Sequence, residues 1–205
     1  IGALLDHDLP VFTELNLSAT ATGRIWPRPR PKAAGCFCPP TMLYRRETQY
    51  IKQQVAEFGK PVHYIYHIGQ YLPDWHPWEN YKNFFVGNAR TGGVREIFGI
   101  DLPWLLDAFG DVESVTVQKD TISDLGLPYP DCVTLLLRHK GGVQGVLAAD
   151  VVSRKAVRSL SASATASTCS GRATPRRCTS SRTATSGLST PTPALSTTAA
   201  TATTL

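Results

Sequence analysis

Acidic residues are missing from two long stretches of this chain: no Asp or Glu lies between Glu14 and Glu47, and none follows Asp150. The formal net charge of +5 originates there. Residues 17–40 hold Arg24, Arg28, Arg30 and Lys32, and residues 159–205 hold Arg172, Arg176, Arg177 and Arg182. Without those eight cations the rest of the chain carries −3, so the patterned part is mildly acidic. No aromatic interleaves with the C-terminal arginines, and a nucleic-acid-binding role is set aside. Cysteine is scarce as well. Cys36 and Cys38 are separated by one residue, whereas zinc knuckles need about two to four, so no metal site is expected. An odd cysteine count with Cys132 alone in an apolar run fits a reducing, cytoplasmic compartment. No apolar run approaches the roughly 18 residues of a membrane-spanning helix. A glycine-rich strand–turn–helix fingerprint is also missing, and with it the usual pyrophosphate cradle. The chain starts at Ile1 in mid-pattern, from which a fragment is expected.

What is present concentrates in residues 61–110, which hold three of the four tryptophans and three of the five histidines. Apolar residues alternate from Val62 to Ile68, the period of a half-buried strand. Gln70–Glu79 mixes aromatics with Pro73, Asp74, His76 and Pro77, which suits an ordered surface loop. A helix is expected near Arg95–Phe109, stopped by Gly110 in a left-handed cap. Upstream, Thr48, Ile51, Val55 and Phe58 recur at helical spacing, closed by Gly59 and Pro61. Downstream, Glu113–Lys119, Cys132–His139 and Val143–Val152 read as strands, the last two joined at Gly141-Gly142, with a further strand starting in Ala156–Leu160. The layout predicts an α+β fold, an open and mostly antiparallel sheet with helices on one face.

The two acid-free stretches lose this patterning. Residues 17–40 are rich in Pro and Arg and fit neither a helix nor a central strand. Residues 161–205 are mostly Ser, Thr and Ala and are expected to form a disordered tail, since they carry too little apolar area to offset chain entropy. Both read as out-of-frame translation of a GC-rich gene. A shifted frame over Ser18–Pro27 permits an acidic helix start, and one over Ala164–Gly171 permits a turn and strand.

Glu57–Gly69, Tyr71–Glu79, Gly92-Gly93 and the Asp101-x-x-Trp104-Leu105 run with Gly110 resemble the C-terminal half of the glucose–fructose oxidoreductase / inositol dehydrogenase-like family. The resemblance implies a two-domain enzyme that uses NAD or NADP to oxidise a sugar or polyol. It divides the chain into residues 1–16, the end of a Rossmann domain; the aberrant segment 17–40; a substrate and oligomerisation domain over 41–160; and the tail 161–205. Glu14-Leu15-Asn16 matches the family's cofactor-side Glu-Lys-Pro, keeping the carboxylate and losing the Lys. Glu96 and Ile100 stand where the family carries an Asp and its proton-abstracting His, with Asp101 next door. The carboxylate survives and the imidazole does not. The chain is therefore expected to bind no cofactor and to have no oxidoreductase activity by itself.

Several side chains remain as site candidates. His76 sits among aromatics able to stack on a sugar ring, or is bonded to Asp74 as a loop histidine. Glu96 is a ligand-facing acid or a surface partner of Arg95, and Asp101 is either catalytic or the N-cap of a helix whose first turn contains Pro103. Arg90 and Arg95 are suited to clamp a carboxylate or phosphate. The resemblance adds Tyr71 and Lys82 on the substrate side, and Asp74 is counted with them. Trp104, Leu105 and Phe109 are expected in the core. An assembly module, a homo-oligomer formed through the sheet face without catalysis, is the competing reading.

Overall fold

The strand that alternates in sequence becomes the centre of the sheet. The computed structural model describes residues 11–12, 36–37, 40–58, 62–164, 167–172 and 178–182. Two short strands, β1 (Val11–Phe12) and β2 (Cys36–Phe37), pair parallel to each other. A 3-10 turn at Thr41–Tyr44 leads into helix α1 (Arg46–Phe58), followed by β3 (Val62–Gly69) and helix α2 (Gly93–Phe109). Then come β4 (Val112–Asp120), β5 (Cys132–His139), β6 (Gln144–Asp150), β7 (Val157–Ala164), β8 (Ser167–Arg172) and β9 (Cys178–Arg182). The large sheet runs β4-β5-β6-β3-β7-β8-β9. Among the described residues of this sheet only the β3–β6 pair is parallel, as inserting β3 between two strands that come later in the chain allows. The α+β expectation, an open and mostly antiparallel sheet, holds.

Side-chain alternation divides the faces of the sheet. Val62, Tyr64, Tyr66 and Ile68 of β3 are buried with Leu135, Leu137, Leu147, Leu160 and Ala162, against Ile51 and Val55 of α1 and Val94, Ile97, Trp104, Leu105 and Phe109 of α2. Two buried tyrosines need polar partners, and both have one. The Tyr64 hydroxyl lies 3.0 Å from His139 Nε2, and His139 Nδ1 lies 2.6 Å from the Gly110 carbonyl. Nδ1 therefore carries the proton, and Nε2 accepts from Tyr64. Gly110 closes α2 at φ 89°, its N–H donating to Leu106 O at 2.8 Å, as the sequence predicts.

The start of α2 corrects one expectation. Asp101 is not an N-cap: the helix begins at Gly93 and runs through Pro103. Pro103 has no N–H for the Gly99 carbonyl, a defect that costs about 3 kcal/mol in a helix interior. The stripe of Val94, Ile97, Trp104, Leu105 and Phe109 buried on the sheet offsets it. The boundary drawn at residue 160 falls inside a strand, because β7 continues to Ala164 and β8 and β9 follow. Backbone pairing along Ser- and Thr-rich segments requires little apolar area of their own once a sheet edge is offered. The remainder of 161–205, most of 1–16 including Glu14 and Asn16, and most of 17–40 lie outside the described residues.

Candidate functional site

A cleft of about 450 Å³ opens at the carboxyl end of β3. Ile68, Gly69 and Gln70 form its floor, and Glu96, Ile97 and Ile100 of α2 form one wall. Trp75 and His76 come from the loop that follows β3; Arg45, Ala156, Val157 and Arg158 close the other side. The loop is held in place by its own backbone. Leu72 N–H donates to Val151 O at 2.9 Å, and Trp75 Nε1 donates to Gln70 O at 3.2 Å.

His76 is fixed more tightly than its loop position suggests. Its ring is stacked with Trp78 at 4.9 Å and with Phe84 at 4.2 Å between centroids, and Nδ1 lies 2.7 Å from Glu79 Oε1. The expected partner was Asp74; the 3-10 turn at Leu72–Asp74 leaves that residue exposed, and Glu79, three positions on, takes its place. With Nδ1 engaged and rings packed against the imidazole, the Nε2 edge is what His76 offers to a ligand.

Asp101 lies one and a half turns after Glu96 and is fully buried. Tyr66 Oη donates to its Oδ1 at 2.7 Å and Trp104 Nε1 at 3.0 Å, while Arg158 Nη2 donates to Oδ2 at 3.1 Å. Burial, and then the neighbouring carboxylate, push the Tyr66 phenol well above its usual range, so it stays a donor. Asp101 thus holds Arg158, whose guanidinium borders the cleft, and does not line the cleft itself.

Asp150 anchors the floor. Its Oδ1 accepts from Val152 N at 3.0 Å and Ser153 N at 2.8 Å; its Oδ2 accepts from Ser153 Oγ at 3.0 Å and lies 2.7 Å from His67 Nε2. A Cβ on Gly69 would stand 2.5 Å from Asp150 Oδ2, so this close approach requires glycine. Burial pushes the Asp150 carboxyl up, but the hydrogen bonds from His67, Ser153 and Val152 outweigh it and hold the group below the usual carboxylate range. Its stabilising contribution is therefore full above the ordinary value of 3.8 and is lost as pH falls through the lower folded value. Asp150→Asn should flatten the acid limb of stability against pH, read by urea unfolding at a series of pH values; an unaltered limb would contradict this.

Other candidates lie elsewhere. Tyr71 is covered by Arg154, whose guanidinium carbon is 3.7 Å from the ring centroid. Lys82 is 5.9 Å from the Tyr81 centroid and beside Gly126, away from the cleft. Arg90 and Arg95 are exposed and do not line it; the cations that do are Arg45 and Arg158. Arg158 follows Asp101 by 57 residues, so no local pattern connects them. The only signal is general: a buried carboxylate calls for a cation somewhere in the chain.

Gly92-Gly93 before α2 is the place where glycines meet the start of a long helix, and Tyr129 fills it. The Tyr129 hydroxyl accepts from Gly93 N at 3.1 Å and donates to Val86 O at 2.6 Å, while its ring stands 2.7 Å from a Cβ placed on Gly92. The Gly93 amide is thus engaged, and this helix start is not an open phosphate cradle.

No protein-family model and no curated protein matches the chain. Solved structures do. An inositol dehydrogenase homologue from Azotobacter vinelandii, complexed with NAD+, superposes with a TM-score of 0.67 at 10% identity, over 88% of this chain and 52% of that one. Levoglucosan dehydrogenase in complex with NADH gives 0.63 at 14% identity, over 89% and 56%. An oxidoreductase from Agrobacterium radiobacter, in complex with NAD+, L-tartaric acid and magnesium, gives 0.63 at 14%, over 88% and 57%. The chain spans about half the length of these structures. At such identities the likeness is one of fold, and the fold of this chain is shared with about half of each of these dehydrogenase and oxidoreductase structures.

Proposed function

We propose that the chain is the substrate-binding part of an NAD- or NADP-dependent oxidoreductase acting on a sugar, polyol or similar hydroxy compound. By itself it binds that compound without oxidising it. The observation that carries this is the lining of the cleft: Trp75 offers an apolar ring, and Gln70, Glu96 and His76 offer polar groups around it. Aromatic faces pack against the C–H faces of a sugar, while amide, carboxylate and imidazole bond its hydroxyls. The dehydrogenase neighbours support the same compound class. His76, with Nδ1 held by Glu79, is assigned the hydrogen bond from a substrate hydroxyl to Nε2. Ile100, at the family's basic position, contributes only apolar surface. The hydride acceptor is assigned to sequence other than the described residues, which carry no glycine-rich strand–turn–helix fingerprint.

A second reading, assembly of copies through the sheet, is favoured by the face opposite the helices. Ile65, Val146 and Leu136 are register partners across β3, β6 and β5, and Ile65 and Leu136 are 50% and 52% exposed. One experiment separates the two readings: thermal unfolding with myo-inositol or levoglucosan, repeated over a range of protein concentrations, with NADH absorbance monitored after NAD+ is added. Binding predicts stabilisation of about 2.7 kcal/mol at roughly a hundredfold excess over Kd, and no NADH. Stability that rises with protein concentration and ignores both compounds would put assembly first. Accumulating NADH would refute the inactivity.

A further inference from the structure

We infer that the compound bound in the cleft is a polyhydroxy carboxylate, a sugar acid, rather than a neutral sugar or polyol. This rests on the binding reading above and narrows it. Arg45 and Arg158 both line the cleft. Arg158 Nη1 lies 3.6 Å from Met42 Sδ, and the Arg45 backbone N–H donates to Met42 O at 3.3 Å, so Arg45 leaves the turn beside which the Arg158 guanidinium sits. Arg158 is only partly satisfied. One N–H meets Asp101 Oδ2, another faces a thioether, which is a weak acceptor, and its Nε is buried with no hydrogen-bond partner. Its side chain is nevertheless 26% exposed. Arg45 is exposed and has no acidic partner among the described residues.

The rest of the lining is built differently. Glu96 stands in the first turn of α2, close to Trp75, which approaches Gly93. Asp101, which anchors Arg158, follows five residues later, about 7.5 Å along the helix axis. The cleft therefore combines two arginines with hydroxyl partners in Gln70, His76 and Glu96, in a volume of about 450 Å³. A carboxylate accepts charge-assisted bonds from two guanidinium forks; a neutral hydroxyl in its place leaves that donor capacity to water. Arg158 is held against Asp101 before any ligand arrives, so less side-chain entropy is lost on binding.

Isothermal titration of the full chain with D-gluconate and with D-glucitol, which differ only in the carboxylate end, tests the proposal. Gluconate is expected to bind about tenfold more tightly, the size of a bond to a charged group, and the preference should shrink as salt is added. Arg45→Gln, an exposed substitution whose fold is checked by its unfolding midpoint, should lower gluconate affinity by about the same factor. Equal binding of the two compounds overturns the sugar-acid assignment and leaves polyol binding standing. Binding of neither overturns both. A gluconate preference untouched in Arg45→Gln overturns the two-arginine site.

Discussion

Asp101→Ala is expected to lose about 3–5 kcal/mol of unfolding free energy, the cost of breaking a buried ion pair from one side. The carboxylate has no exposed surface and receives three donors from three elements: Tyr66 on β3, Trp104 on α2 and Arg158 on β7. Its removal leaves a phenol, an indole N–H and a guanidinium without an acceptor. Burial of Arg158 is incomplete, at 26% side-chain exposure, so its charge can recover some hydration and the lower half of the range is the better figure. Asp101→Asn should cost less, because an amide oxygen still accepts from Tyr66 and Trp104 while the charge facing Arg158 is gone. The pair Asp101→Leu with Arg158→Met should recover much of the loss, since an apolar pair of similar volume escapes the desolvation cost of both ions. Urea unfolding of the four proteins checks the order. A loss below about 1 kcal/mol in Asp101→Ala would mean that water reaches the site and that Asp101 does not hold Arg158 in place.

That network also shows what local sequence conveys and what it does not. The alternation of Val62, Tyr64, Tyr66 and Ile68 was sufficient to predict a strand buried on one face, because a period of two is a property of adjacent residues. Gly110 as the stop of α2 was legible for the same reason. Asp101 was misplaced as an N-cap because Pro103 favours first turns when only the neighbouring residues are weighed. In the folded chain the sheet beneath Trp104 and Leu105 decides. Glu79 replaced Asp74 as the partner of His76 because the 3-10 turn, rather than proximity in sequence, sets which carboxylate the ring meets. The exposed Arg90 and Arg95 were the natural anion clamps by local composition; the cleft instead takes Arg45 and Arg158 from opposite ends of the domain. Long-range pairing, including the parallel fit of β3 against β6, is set by how faces pack and leaves little trace in a single window.

Gly145→Ala should be as damaging as removing the buried carboxylate, although it adds one methyl group to an ordinary strand position. Alanine is the better residue in a strand by about 0.5–1 kcal/mol on backbone grounds alone. Here a Cβ would overlap Tyr64 Cζ, Cε1 and Oη, because the Tyr64 side chain lies across its register partner Gly145. Tyr64 has nowhere to go. Its ring stacks on Phe109 at 4.1 Å with a 20° interplanar angle, and its hydroxyl is tied to His139, which is tied to the Gly110 carbonyl that ends α2. Displacing the ring costs overpacking of about 1–3 kcal/mol and leaves a buried hydroxyl or imidazole nitrogen unpaired for a similar amount. Less the backbone gain, a total of about 3 kcal/mol is expected by urea unfolding. Tyr64→Leu alone should also destabilise, through the lost stacking and hydrogen bond. In the double variant Tyr64→Leu with Gly145→Ala the alanine methyl finds room, so its added cost should fall below about 1 kcal/mol. Strict additivity of the two changes would show that the strand does not need glycine there to let Tyr64 pass.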